Sequence, residues 1–174
     1  MQVTISANGK NIQVEMSEEQ AKILGLAEER SRTGYERGEV EETYYLVDVD
    51  DEITNMKHNG QLDRDCYDVG NYYSNKTIAE NNARADRLLR QLRQWQALND
   101  KSISEKDWND ESKKKWFVAY SYGAEKLYAD YYYIMRLPNT IHFATKEKAE
   151  EAIEVFRDEL IWYFVEYQQR LDEE

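Results

Sequence analysis

The sequence predicts an α+β fold in which an antiparallel sheet is packed by two long amphipathic helices. Three observations lead there. Runs of strand-forming residues flank turn residues at the N-terminus and again near residues 44 and 116. Two long stretches carry apolar residues at helical spacing behind a capping side chain, Asn75 in one and Thr145 in the other. The order hairpin then helix occurs twice.

Residues 1–25 read as a small N-terminal lobe. Val3 and Ile5 alternate on one strand and Ile12, Val14 and Met16 on the next, with Asn8-Gly9 supplying the positive φ angles of a type I′ turn. Ser17 followed by Gln20 has the form of a capping box, Ala21, Ile23 and Leu24 make a short helix, and Gly25 ends it. Residues 26–42 are charged and have no apolar period, which predicts an acidic tether to a main domain of residues 43–174.

In that domain Tyr44 to Val49 and Ile53 to Met56 are strands around Asp50-Asp51. Residues 57–65, with Asn59-Gly60, read as a loop, and Cys66 to Tyr73 as a further strand. A helix from about Asn75 to Leu98 presents Ile78, Ala85, Leu88, Leu89, Leu92 and Trp95 as one stripe. After a polar segment, Trp116 to Tyr122 and Leu127 to Met135 are strands around Gly123-Ala124, and Thr140 to Phe143 is short and extended. A second helix from Thr145 carries Ala149, Ala152, Ile153, Phe156, Leu160 and Phe164 on one side. Strand starts lie 72 residues apart and helix caps 70 apart, which predicts a duplicated hairpin-plus-helix unit, residues 43–99 and 114–174.

The chain has 174 residues, 35 acidic and 23 basic, for a net charge of −12. Such a surface repels nucleic acid and anionic lipid and attracts basic partners. The lone Cys66 has no internal disulfide partner, and Met1 to Ser6 lacks a leader's basic and apolar segments, so a reducing cytosol is the expected location. The most apolar stretch, Leu160 to Val165, is far shorter than the roughly 20 residues that span a bilayer, so no membrane association is expected.

No residue pattern carries catalysis. His58 lies in a polar loop and His142 between Ile141 and Phe143, neither with a partner at a diagnostic spacing, and Cys66 reads as a semi-buried strand residue. A calcium loop starting at Asp48 requires glycine at its sixth position and glutamate at its twelfth, where this chain has Ile53 and Asn59. No metal, cofactor or enzymatic activity is expected.

The acids are clustered. Between Glu36 and Asp68 the net charge is −8, and Glu39, Glu41, Glu42, Asp48, Asp50, Asp51, Glu52, Asp63, Asp65 and Asp68 form a candidate partner-binding set. Carboxylates in such a strip can satisfy the Lys and Arg side chains of a groove built for phosphates. Arg84, Arg87, Arg90 and Arg93 follow one another every third residue on the first long helix and form an alternative, cationic face for nucleic acid or an acidic partner. Pairing of these arginines with the chain's own acidic loop is a third reading. Tyr131-Tyr132-Tyr133 place neighbouring rings on opposite strand faces, so some of the tyrosines are expected at the surface, where they make good contact area.

Taken together, Asn8-Gly9-Lys10 with Ser17-Glu18-Glu19-Gln20, Arg32 to Arg37, Tyr44 to Val47, Tyr67 to Tyr73, Ala85 to Leu92 and Glu159 to Phe164 resemble a group of small proteins encoded by phages and integrated elements of Firmicutes. The resemblance implies a mobile-element origin and assigns no residue a role. In general character, small acidic phage proteins without catalytic motifs are similar to inhibitors of host defence nucleases, anti-CRISPR proteins among them. The expectation that results is a non-enzymatic inhibitor whose acidic surface occupies the basic groove of a host protein, a Cas nuclease foremost. The alternatives are a replication or packaging accessory that contacts nucleic acid through the arginine helix, and a self-assembling structural protein. The oligomeric state is open.

Overall fold

The computed structural model describes residues 2–7, 10–15, 17, 20, 23–24 and 32–173. The chain divides between Thr33 and Gly34 into two compact units. In the first, strands β1 (Gln2–Ala7) and β2 (Lys10–Glu15) pair antiparallel, with Val3 opposite Val14 and Ile5 opposite Ile12. The Gln20 N–H donates to the Ser17 hydroxyl oxygen (3.2 Å) and the Ser17 N–H to the Gln20 side-chain oxygen (3.0 Å), the reciprocal pair of a capping box. The expected turn at Asn8-Gly9 and helix stop at Gly25 lie outside the described residues.

The second unit is α+β. Its elements are β3 (Thr43–Val47), β4 (Ile53–Lys57), α1 (Gln61–Asp68), α2 (Lys76–Asn99), α3 (Glu105–Trp108), β5 (Lys115–Ser121), β6 (Lys126–Tyr132), α4 (Lys146–Val155) and α5 (Arg157–Val165). Its four strands form two separate two-stranded sheets rather than the one sheet expected, and β1 and β2 of the first unit form their own. Each hairpin in this unit gains only a single bridging residue beyond its own two strands, Tyr73 on Tyr45 and Phe143 on Trp116. The helices fill the space where further strands would pair.

Residues 34–42, expected in the tether, belong to this unit. The Ser74 N–H donates to the Gly34 carbonyl (2.8 Å), and the Gly38 N–H to the Tyr72 hydroxyl (2.9 Å). Gly34 is buried at φ 95°, and a Cβ there would meet the Ile78 side chain at 2.8 Å, so position and conformation both require glycine.

The expected strand from Cys66 to Tyr73 is instead the end of α1 and a turn, with only Tyr73 extended. The cause is Asp63. Its Oδ2 accepts the N–H groups of Asn59 and Gly60, both at 2.5 Å, and so caps a helix start that reads locally as a hairpin turn.

Helix α2 is the spine, 24 residues and therefore about 36 Å long. Ile78 and Ala79 in its first turns pack with Tyr73 and, from the first hairpin, Tyr45, Val47 and Ile53. Leu88 and Leu92 further along pack with Phe143, Ala149, Ala152 and Leu160, with Trp95, Trp116 and Val118 around them. The second helix is interrupted rather than continuous: Phe156 at φ −113°, ψ 20° leaves the helical region and packs against the core, although the Phe156 and Leu160 N–H groups still reach carbonyls four residues back.

The duplication is visible in register. The bridges set Tyr45 against Trp116 and Tyr73 against Phe143, offsets of 71 and 70, and the caps Asn75 and Thr145 each accept the N–H three residues on. Lys76 pairs with Glu80 and Lys146 with Glu150. Ala79 and Ala149, four residues after their caps, are both fully buried. Replacing either alanine by leucine is expected to destabilise the unit by about 1–3 kcal/mol through overpacking, measured by urea unfolding; a neutral result at one position would show that the two helices do not meet their hairpins equivalently.

Candidate functional site

The structure separates the ten candidate carboxylates into three groups. Glu39, Glu41 and Glu42 lie at the base of the first hairpin, where the Glu41 N–H reaches the His58 carbonyl. Asp48, Asp50, Asp51 and Glu52 form its tip, a strand length of about 15 Å away. Asp63, Asp65 and Asp68 are on α1, which returns from base to tip and is followed by Asn71, bonded to the Val47 backbone. Eight of the ten are exposed, and none of those eight forms an ion pair among the described residues.

Asp63 and Asp51 are the exceptions. Asp63, 1% exposed, cannot meet a partner. The N–H groups of Gly60 and Asn59 hold its carboxyl below the usual carboxylate range, with the Tyr44 phenol and His58 adding to the effect. Tyr44 is fully buried and stacked on Tyr72, ring centroids 4.3 Å apart, and burial pushes its phenol up. Cys66 stands in the same cluster, and burial raises its thiol too, which keeps it protonated and a poor nucleophile. Cys66 is on a helix and not on the strand expected. His58 packs edge-on to Tyr72 with its Nδ1 4.0 Å from Asp63. These groups hold α1 onto the hairpin.

Asp51 takes a positive φ of 65° after the turn in which the Asp51 N–H reaches the Asp48 carbonyl. Its carboxylate faces inward across the hairpin tip, to Arg90 at 2.5 Å and Arg87 at 3.4 Å. Arg84 holds Glu159 of α5 through two bonds of 2.8 and 3.0 Å and lies over the Trp162 ring at 4.0 Å. Three of the four arginines of the alternative cationic face therefore pair within the chain, Arg87 and Arg90 with the acidic loop as one of the sequence readings has it and Arg84 with the C-terminal helix instead. Only Arg93 of the four has no ion pair among the described residues, and it borders a cleft that also contains Arg136, Trp108 and His142. Sequence reasoning passed over Arg136 and Trp108, although the run Tyr131 to Phe143 contains no acid.

Exposed tyrosines are present: Tyr67, on α1 between Asp65 and Asp68, is 42% exposed, and of four others Tyr122 is 71% exposed and Tyr128, Tyr132 and Tyr133 are about half as open. All four belong to the second hairpin or its continuation, away from the acidic residues of the first. Among the described residues, no three His, Cys, Asp or Glu side chains converge as metal ligands, and no helix is long and apolar enough to cross a membrane. The class defined here is an α+β protein whose larger unit joins two hairpin-helix stretches through their helices. Comparison with protein-family models, curated proteins and solved structures finds no match to the chain.

Two outcomes follow from these contacts. Asp63→Asn removes the charge from the cap and should lower the urea midpoint at pH 7. Because the folded carboxyl is more acidic than the unfolded one, that contribution is present above about pH 4 and lost as pH falls further, so the wild-type and variant midpoints should converge in acid. Asp51→Ala should cost about 1 kcal/mol, since its partners are half exposed and solvent screens them; the same urea titration at low and high salt checks it, with the difference shrinking at high salt.

Proposed function

We propose that this protein is a non-enzymatic binding protein that occupies a cationic, nucleic-acid-handling groove of a partner protein through the exposed carboxylates of its first repeat. One observation supports this reading over the arginine alternative. Among the described residues, Glu39, Glu41, Glu42, Asp48, Asp50, Glu52, Asp65 and Asp68 are exposed without ion pairs, whereas Arg84, Arg87 and Arg90 are paired with Glu159 and Asp51. Free carboxylates retain their full attraction for a basic surface, and an arginine already holding a carboxylate must break that pair to take a phosphate. The hairpin and α1 hold three acidic groups over a length of about 15 Å, a footprint that an array of groove lysines and arginines can match. The resemblance to phage-encoded proteins makes a host defence nuclease the partner class of choice, in the host cytosol.

The test uses the full chain as bait in a lysate of a CRISPR-bearing Firmicutes host. A basic nuclease should be retained, released by competing double-stranded DNA or by high salt, and not retained by the variant Glu39→Gln, Glu41→Gln, Glu42→Gln, Asp48→Asn, Asp50→Asn, Glu52→Asn. All six positions are exposed, so the fold is expected to survive. Retention unaffected by the six changes, in a variant with an unaltered circular dichroism spectrum, would remove the acidic surface from the mechanism.

A further inference from the structure

The two repeats differ most where the first is sealed. Taking the bridge register, Tyr44 corresponds to Lys115 and Tyr72 to His142. All four are buried. In the first repeat the two tyrosines stack on each other and α1 closes over them with Asp63. In the second no helix takes the place of α1. The equivalent stretch, between β6 and Phe143, is a loop carrying Arg136, and an open cleft of about 780 Å³ lies beside it.

The cleft is basic in an acidic protein. One residue in five of the chain is Asp or Glu, yet none of the twelve residues that line the cleft is acidic, and two are arginines. Arg93, on α2, and Arg136 have no ion pair among the described residues. The Arg136 guanidinium lies 5.3 Å from the Trp108 ring centroid, and buried Lys115, whose Nζ donates to the Asp110 and Tyr133 carbonyls, is 5.9 Å from the same ring. The nearby carboxylates are engaged elsewhere: Asp107 with Ser104 and Lys113, which bring it down to about 2, and Asp110 with Ser112. A concavity of one sign, with apolar walls, concentrates its field on an entering anion.

His142 adds a second function. Its Nδ1 lies 3.1 Å from the Thr140 carbonyl, so Nδ1 carries the proton and the neutral ring presents Nε2 as an acceptor. That Nε2 is buried and has no partner, and the ring meets Trp108 edge-on at 5.1 Å. Burial lowers the pKa of the imidazole, which favours this neutral form. A site with two guanidinium groups, an unsatisfied acceptor, the Asn139 amide and the apolar Ile141 suits a ligand with a phosphate at one end and a ring bearing N–H donors at the other. The volume is within the range of small-molecule sites, about 300–1,000 Å³, and larger than an inorganic anion requires.

We propose that this cleft binds a nucleotide, free or at the 5′ end of a strand, with Arg93 and Arg136 on the phosphate. The assignment is independent of the acidic surface, which is of opposite charge and on the other repeat, so either can fail alone.

Isothermal titration of the full chain at low salt, with each of the 5′-mononucleotides, inorganic phosphate and a 5′-phosphorylated oligothymidylate, tests it. At least one nucleotide should bind tighter than inorganic phosphate. Arg93→Gln and Arg136→Gln should each weaken that binding about tenfold, the scale of one charge-assisted hydrogen bond, while Lys76→Gln, at the far end of α2, leaves it unchanged. Both arginines are exposed, so these variants are expected to fold. Preference for the oligonucleotide identifies a strand end and preference for a mononucleotide the free compound; both sustain the proposal. It is overturned if no nucleotide binds at millimolar concentration, if inorganic phosphate binds as tightly, or if neither substitution weakens binding.

Discussion

The larger unit depends on each hairpin being packed against a helix and on those two helices packing against each other. A two-stranded hairpin is marginal by itself in water, and neither hairpin of this unit pairs with the other. The first instead places one face on the opening turns of α2 through Ile78 and Ala79, and the second packs on α4, whose Ala149 and Ala152 meet Leu88 and Leu92 of α2. Small residues make the approach possible: Ala79, Ala83 and Ala85 on α2 and Ala149 and Ala152 on α4 are all buried. The C-terminal segment closes the arrangement by returning to the helix start, where the Tyr167 hydroxyl donates to Asn82 and the Asn81 amide to the Gln168 carbonyl.

A shared spine also explains where the charges go. The buried stripe of α2 leaves Arg84, Arg87 and Arg90 on its flanks, facing the hairpin tip on one side and α5 on the other. Asp51 and Glu159 meet them there. These are half-exposed pairs, worth only about 0.5–1 kcal/mol each, so their role is to fix orientation more than to stabilise. Their functional effect is larger, because they remove three cations from the surface and leave the acids of the first repeat uncompensated. Arg93, one helical step further, has no such partner and falls into the cleft of the second repeat.

Periodic features were legible in the sequence. The stripe of α2, its Asn75 cap, the strand pairs and the 70-residue offset all follow from local spacing, and the structure places them within a residue or two of expectation, except that β6 ends at Tyr132, three residues before the expected Met135. What spacing did not reveal was competition between local signals. Asn59-Gly60 reads as a turn, and only the return of Asp63 onto both N–H groups makes it a helix start. The run Tyr44-Tyr45-Leu46-Val47 lacks alternation because helices cover both faces of its hairpin, a fact of tertiary structure. Asp51 and Asp63 likewise belong to a negative run in the sequence and to the interior contacts of the fold in space, which no count of charges distinguishes.

The repeats bear on function because each is a control for the other. Where the first has Tyr44, Tyr72 and a covering helix, Asp63 caps the helix and the stacked rings fill the space beneath it, while the buried Tyr44 hydroxyl and His58 Nδ1 have no hydrogen-bond partner among the described residues. The second repeat keeps the hairpin, the bridge and the cap of its helix but substitutes Lys115 and His142 beneath, and Arg136 in an open loop above. Stability alone does not account for that exchange. A buried lysine costs free energy that two stacked tyrosines do not, and an open cleft forgoes the apolar burial a helix would provide, whereas a buried atom without a hydrogen-bond partner is present in both repeats, the Tyr44 hydroxyl in one and His142 Nε2 in the other. Polar groups that a fold retains at such a cost, beside unpaired arginines and in a cavity free of carboxylates, point to an anionic ligand as what completes them.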